Sequence, residues 1–468
     1  MNETQEAQNF KREKSMDIAG KLWKLGYPTM IAAAMQSFYD IVDMAWIGQY
    51  SHDAVAGVTI FSVLFQLFTV LNEVAGTSSV AMISQSYGRR DTARTQRIAE
   101  QTISFKFVLA IISGLLLAIL LRPLLAYYTK NEQVISYAME YGWLRIFFLP
   151  LAFSSYSVNT IFRCTDDSKT PMRIMIFSGL INFILDPIFI FETVPDLGFI
   201  KFPFTIHGLG LGVFGAALAT VISITVSFLI GFSILLSGKK GKTIDLKGLF
   251  TLDKQIDMDL LRIGLPAGVN LFVRQFFMAL LIQFVSYYGD IATALAGVGG
   301  KLSSFALVPL FGFNMSGSAI VGHYIGRSEI KTAKRTAIIG AVICCISVSI
   351  ITLAIVIFPK AILSLFFTDS AVINEGVSMI RILACSFIPL AYAFGLSVVF
   401  SGSGHTRPLL YSTIGASWLV QLPYLFVTVK ILELPLIAVW FSYILAEIAH
   451  LSIIVYHYKK ETWTTIRV

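Results

Sequence analysis

The sequence predicts an all-α polytopic membrane protein. Twelve transmembrane helices are expected, in two parallel six-helix bundles related by a pseudo-two-fold along the membrane normal. Three observations carry this. Of 468 residues, 56% are hydrophobic and only 14% charged, with a mean hydropathy of +0.73, whereas a soluble domain carries about 25% charged residues. Apolar runs of about 20 residues or more, the length a helix needs to cross the hydrocarbon, recur along the chain. Finally, the chain aligns with itself at an offset near 237.

In chain order, residues 1–21 are polar and lack the apolar run of a cleavable signal. They are expected to form a cytoplasmic segment. A first bundle spans 22–237, with apolar segments at about 22–47, 54–86, 95–121, 133–163, 171–193 and 212–237. Residues 238–257, carrying "GKKGK", form a polar linker. A second bundle spans 258–458, with segments at about 258–288, 291–323, 335–358, 373–402, 408–430 and 434–457, followed by a tail at 459–468. Segments beyond about 25 residues imply tilt or bending. Their Gly and Pro residues are of the kind neighbouring helices accommodate in a bundle.

Basic residues sort by side. "GRRDTARTQR" (88–97), "KTPMR" (169–173), "GKKGK" (238–242), Lys247, Lys254 and "GRSEIKTAKR" (326–335) fall on one side with both termini. Only Arg122, Lys130, Lys201, Lys360 and Lys430 fall on the other. The bias places both termini in the cytoplasm of a plasma (inner) membrane protein. It also accounts for the net charge of +8 without a nucleic-acid partner. The four cysteines, Cys164, Cys344, Cys345 and Cys385, lie in or beside apolar segments, with spacing for neither a disulfide framework nor a zinc site.

The internal match is ordered. "LGYP" (25–28) pairs with "IGLP" (263–266), "AVAGV" (54–58) with "ALAGV" (294–298), and "SYGRRDTARTQR" (86–97) with "YIGRSEIKTAKR" (324–335). Pro123, Arg145, Pro150 and Pro187 pair with Pro359, Arg381, Pro389 and Pro423. Six spans per half make the repeats parallel, the arrangement of secondary transporters with a central binding cleft.

Ionisable residues at bilayer depth cost about 2.5–3.5 kcal/mol on insertion scales, and persist where they pair, face a cavity or do work. "MQSFYDIVDMAWIG" (35–48) places Gln36, Tyr39, Asp40 and Asp43 at i, i+3, i+4, i+7, one face of a helix. Glu73 lies within the second span, and Asn182 and Asp186 share a face of the fifth. The second half has no acid between Glu375 and Glu433; its equivalents of Asp43 and Asp186 are near Leu281 and at Leu422. Its seventh span offers Asn270, Arg274, Gln275 and Gln283 instead. Blander readings stand beside the functional ones. Asp40 and Asp43 would cap the outer end of span one, Asp186 would serve a kink at Pro187, and Glu73 would pair with Lys106. Arg145 and Arg381 read as structural, and Arg274 as a snorkelling or charge-balancing residue.

With these residues in hand, the chain resembles the multidrug and toxic compound extrusion (MATE) transporters from Leu25 to about Tyr456. The resemblance rests on "GYP", "YDIVDMAWIG", "AVAGV" and "ALAGV", "QSYGRRD", "TDDSKTP", "NFILDPIF" and "GVFGAALAT", in that frame. It implies an antiporter exporting organic cations or amphipathic drugs against H⁺ or Na⁺, with no cofactor, no catalytic residues and a monomer in the bilayer. The pattern is similar to the DinF-type branch, which implies ion-linked acids in spans one and five. By motif these fall on Asp43 and on Asn182 with Asp186, a set that also implies a Na⁺ site. Gln36, Tyr39, Asn159 and Thr220 fall on polar positions around it. The NorM-type branch uses an acid in span seven, where this chain has Arg274; Asp40 and Glu73 belong to neither pattern.

The expected mechanism places Asp43 and Asp186 together, hydrogen-bonded by Asn182 and Tyr39. Two close carboxylates in an apolar wall disfavour double ionisation, so a proton, a Na⁺ or a cationic substrate would relieve them in competition. Two other readings remain. A lipid-linked oligosaccharide flippase would use Arg274 and Lys301 on a pyrophosphate. A polytopic enzyme, such as a prenyltransferase, would need Asp-rich magnesium motifs, for which "YDIVD" and "TDD" are the only hints.

Overall fold

The computed structural model describes residues 15–195, 206–238, 244–367, 369–466 and 468. The N-terminal "KREK", Lys201 and most of "GKKGK" lie outside the described residues. All twelve expected segments are helical. Among the described residues, ten helices are long and apolar enough to cross a membrane. The two others each have a physical reason. The first, α1 (Ser15–Tyr50), is continuous over 36 residues, but Gln36, Asp40 and Asp43 dilute its apolar run. The fourth, expected as one span over 133–163, is instead two helices of 16 residues, α4 (Glu132–Phe147) and α5 (Leu149–Cys164), with a break at Phe148. Pro150 sits in the first turn of α5, where its missing amide costs nothing. In a continuous helix it would lose a hydrogen bond and clash with the preceding turn.

The remaining helices of the first half are α2 (His52–Gly88), α3 (Thr92–Tyr128), α6 (Lys169–Ile190) and α7 (Gly212–Leu236). Asp91 caps α3 by accepting from the Arg94 amide at 3.0 Å, and Asn131 caps α4 by accepting from the Gln133 amide at 3.0 Å. Such caps satisfy amides that the first turn leaves free. The linker holds a short helix, α8 (Leu246–Leu249).

The second half comprises α9 (Lys254–Ser286), α10 (Asp290–Gly326), α11 (Ile330–Ile357), the short α12 (Pro359–Leu363), α13 (Ser370–Ser403), α14 (Arg407–Ile431) and α15 (Ile437–Lys460). In α14 the segments Ile414–Gln421 and Phe426–Ile431 wind as π-helix on either side of Leu422–Leu425.

The chain groups into two compact units, Pro28–Leu280 with Val468, and Met1–Tyr27 with Leu281–Arg467. The first is cored by Trp46, Phe61, Leu117, Leu121, Tyr141 and Ile190. There Gly57 lets α2 approach α4 closely, since a Cβ at that position would lie 2.6 Å from the Val134 carbonyl oxygen. The second unit is cored by Ile18, Leu22, Ile320, Val321, Phe400 and Trp463. The linker straps onto α3 within the first unit. Arg97 donates to the Thr251 carbonyl at 2.9 Å, Ser104 to the Leu249 carbonyl at 2.6 Å, and Glu100 accepts from the Asp245 amide at 2.8 Å.

Candidate functional site

The 3.6-residue period of α1 turns Gln36, Tyr39, Asp40 and Asp43 to one side, and the same period sets Asn182 one turn before Asp186 on α6. Asp43 (6% exposed), Asn182 (1%) and Asp186 (0%) are buried together with Thr220 of α7 (0%). Asn182 Nδ2 donates to Asp186 Oδ1 at 3.1 Å, and Thr220 Oγ1 donates to Asp43 Oδ2 at 3.1 Å. The Asp43 and Asp186 carboxyls are neighbours that act on one another electrostatically, and the Asn182 side chain adjoins Asp43. Among the described residues, three buried oxygens in this group have no donor: Asp43 Oδ1, Asp186 Oδ2 and Asn182 Oδ1. A buried carboxylate oxygen without a partner is costly. One proton shared between the acids, or one hard cation on oxygen ligands, would satisfy the arrangement.

One expectation about this site needs correction. Tyr39 does not hydrogen-bond the acids; its hydroxyl donates to the Thr220 carbonyl at 3.5 Å and so steadies the helix whose side chain holds Asp43. The helix that carries Asp186 runs on past Pro187 to Ile190, and the bond Asp186 accepts comes from the Asn182 side chain.

Beside the carboxyl pair lies a cavity of about 400 Å³ inside the first unit. Gln36, Tyr39, Asp40, Arg145 and Thr220 line it, and Asn72, Tyr156, Asn159 and Ser227 are also in its wall, with Phe65, Phe148, Leu149 and Phe153 among its apolar lining. Asp40 accepts from Gln36 Nε2 at 3.2 Å. Arg145 was not legible as a site residue, because its repeat partner Arg381 made a shared structural role the natural reading. It lines the cavity, donates to Tyr141 Oη at 3.1 Å, lies 5.1 Å from the Phe65 ring, and sets its charge against Asp40 and Asp43.

Glu73 lies outside the carboxyl pair, in a second charged cluster with Lys106, Tyr156 and Arg163. Lys106 Nζ is 4.4 Å from the centre of the Tyr156 ring. The sequence signal for the cluster was Lys106 itself, a base inside an apolar span. Asn270 and Arg274 are half-buried on α9 and do not line the cavity; Gln283, further along α9, is exposed. Lys301 lies over the Phe366 ring at 5.9 Å.

The MatE family model matches residues 28–188 and 266–427, one stretch in each half and more than half of the chain together. The probable multidrug resistance protein YoeA of Bacillus subtilis is 28% identical over 439 residues, 93% of this chain and 92% of that protein. The probable multidrug resistance protein NorM of Thermotoga maritima is 26% identical over 442 residues, 92% of this chain and 90% of that one. Among solved structures, an outward-facing multidrug resistance MATE family transporter of the MOP superfamily superposes with a TM-score of 0.84 at 21% identity, covering 98% of this chain and all of that one.

Proposed function

Because the chain belongs to the MatE family of transporters, we propose that it is a secondary multidrug antiporter, exporting organic cations or amphipathic drugs in exchange for H⁺ or Na⁺. The observation that carries the reading is the set of three donorless, buried oxygens on Asp43, Asn182 and Asp186, next to a cavity large enough for a small amphipath. The names of YoeA and NorM as multidrug resistance proteins support the cargo class. The acids in spans one and five, with Arg274 where the NorM-type acid would stand, support a DinF-type ion site.

In this reading the coupling ion binds between Asp43 and Asp186, as a proton on the pair or as a Na⁺ held by both carboxylates and the Asn182 amide oxygen. Thr220 orients Asp43, Tyr39 ties α1 to α7, and Arg145 keeps the surrounding charge from making the empty site prohibitive. A cationic substrate at Asp40 competes electrostatically with the ion. Each ligand then shifts the transporter toward the state it binds better, which exchanges one for the other. The protein works as a monomer in the plasma membrane, with both termini in the cytoplasm.

The test is ethidium transport in inverted vesicles, with a pH gradient and a Na⁺ gradient imposed separately. The expected result is transport driven by one of the two and lost in Asp43→Asn. Transport that ignores both gradients would remove the antiporter reading. Binding of a polyprenyl pyrophosphate in place of ethidium would favour a flippase.

A further inference from the structure

The cavity's charges are not evenly spread. Around Asp40, the carboxyls of Asp40 and Asp43 set their charge against Arg145, and Asp186 adds its own beside Asp43. Behind Tyr156 the balance reverses. The half-buried Glu73 is outnumbered by Lys106 and Arg163, and both bases act on it or on the Tyr156 ring it adjoins. The grouping is tight: a methyl placed on Gly76 would sit 3.4 Å from Glu73 Oε2, 3.6 Å from Lys106 Nζ and 3.6 Å from Tyr156 Cε1. Lys106 is fully buried, and its ammonium has no hydrogen-bond partner among the described residues. It rests instead against the Tyr156 ring at 4.4 Å, while the Arg163 guanidinium lies 5.7 Å from the same ring and donates to Thr160 Oγ1 at 2.9 Å. Glu73 and Arg163 both adjoin the Tyr156 hydroxyl.

Tyr156 is therefore the cavity-facing member of a cluster whose formal charge is one carboxylate against two bases. An aromatic ring attracts cations through its negative face. A ring already engaged by two cations has less of that attraction left for a third. It remains a good stacking surface for a flat, electron-rich group.

We propose that Glu73, Lys106 and Arg163 form the positive pole of the cavity and determine specificity through Tyr156, orienting a ligand with its cationic end at Asp40 and its aromatic end on Tyr156. The substrate class this selects is an amphipath with one cationic end; ligands positively charged at both ends are disfavoured. The inference deepens the proposed function and rests on the cavity being the drug site.

Ethidium and propidium test it, because they share a ring system and propidium adds a second, tethered ammonium. Binding of both dyes to the purified full-length protein is measured by fluorescence, without any ion gradient. The readout is the propidium-to-ethidium affinity ratio. Lys106→Met lowers the pole's charge by one and should raise the ratio about tenfold. Arg163→Gln makes the same charge change from a half-buried position and should do likewise, which keeps the test standing if Lys106→Met fails to fold. Glu73→Gln raises the charge by one and should lower the ratio about tenfold. The double variant Glu73→Gln with Lys106→Met restores the net charge and should restore the ratio. A merely structural cluster would weaken both dyes together and could not give opposite signs for Glu73→Gln and Lys106→Met. A ratio flat across the series, with ethidium still bound, overturns the pole; a protein that binds neither dye overturns the cavity reading beneath it. Loss of transport with binding and the ratio series intact would instead bear on ion coupling alone.

Discussion

Helices α6 and α14 occupy equivalent places in the two repeats and share a proline, Pro187 in one and Pro423 in the other. Their chemistry has parted. Before Pro187 stands Asp186, buried and held by Asn182, in a helix that stays α-helical throughout. Before Pro423 stands Leu422, and the helix unwinds to π geometry on both sides. Its polar groups go to neighbouring structure: Gln421 Nε2 donates to Ser442 Oγ at 3.1 Å and Tyr424 Oη to the Ala438 carbonyl at 3.1 Å. The same split recurs elsewhere. Asp43 answers to the neighbourhood of the buried Leu281, and the cavity-lining Arg145 to the exposed Arg381, whose Nε donates to the Val356 carbonyl at 3.3 Å. A duplicated frame keeps its prolines and spans while one copy holds the buried carboxyl pair and the other uses these polar groups to join helices.

The largest break in that comparison should come from the acids. Asp186→Asn and Asp43→Asn each keep the size of the side chain but remove the charge that an ion must answer. Gradient-driven ethidium efflux in vesicles is expected to fall by about a hundredfold or more in either, with normal membrane expression, because an interaction needed for every cycle is gone. Efflux within a few fold of wild type in both variants would move coupling away from this pair.

Next in size is the paired test of the two arginines. Arg145→Gln removes the base that offsets Asp40 and Asp43, and should reduce transport by about tenfold to a hundredfold, in keeping with the loss of one partner of a buried charge group. Arg381→Gln removes an exposed contact to one carbonyl, and should leave transport within about twofold. Equal effects at the two sites would mean that the repeats share more function than their surroundings indicate.

A smaller effect is expected at Thr220. Thr220→Val keeps the shape and removes the donor to Asp43. A hydrogen bond to a charged group is worth at least about 1.5 kcal/mol, so the ion concentration for half-maximal transport should shift by at least roughly tenfold. Tyr39→Phe, which removes only a long bond to the Thr220 carbonyl, should shift it less. The reverse order would make Tyr39 the residue that holds the site.

Much of this was legible in the sequence, for identifiable reasons. Apolar runs and their breaks gave the twelve segments, because a helix in lipid must be apolar over its length. Helical spacing brought Asp43 to one face of α1 and Asn182 with Asp186 to one face of α6. Other features depend on contacts between distant segments. Nothing local says that Arg145 lines a cavity while Arg381 does not, or that Tyr39 reaches a carbonyl of α7 rather than an acid. The division of the fourth span at Phe148 was written in Pro150, but prolines lie inside other helices here, Pro28 in α1 and Pro123 in α3 among them, without breaking them. The π winding of α14 has no periodic signature in so short a stretch.

The finest test concerns that winding. If Pro423 alone imposed it, Pro423→Ala would return α14 to regular α geometry and displace Gln421 from Ser442 and Tyr424 from Ala438. Pro187, however, sits in the equivalent place in α6 without producing π turns, so the proline is not a sufficient cause. The side-chain bonds to α15 are the better candidate for what holds the register. Pro423→Ala regains one backbone donor, worth about 1 kcal/mol, and loses a comparable amount by loosening the unfolded chain. The thermal midpoint in detergent should therefore move little. Gln421→Leu leaves the buried Ser442 hydroxyl without the amide that pairs with it, and should cost about 1–2 kcal/mol. A larger loss from Pro423→Ala than from Gln421→Leu would return the cause to the proline, and would make the contrast with α6 one of sequence context rather than of the bonds each helix makes.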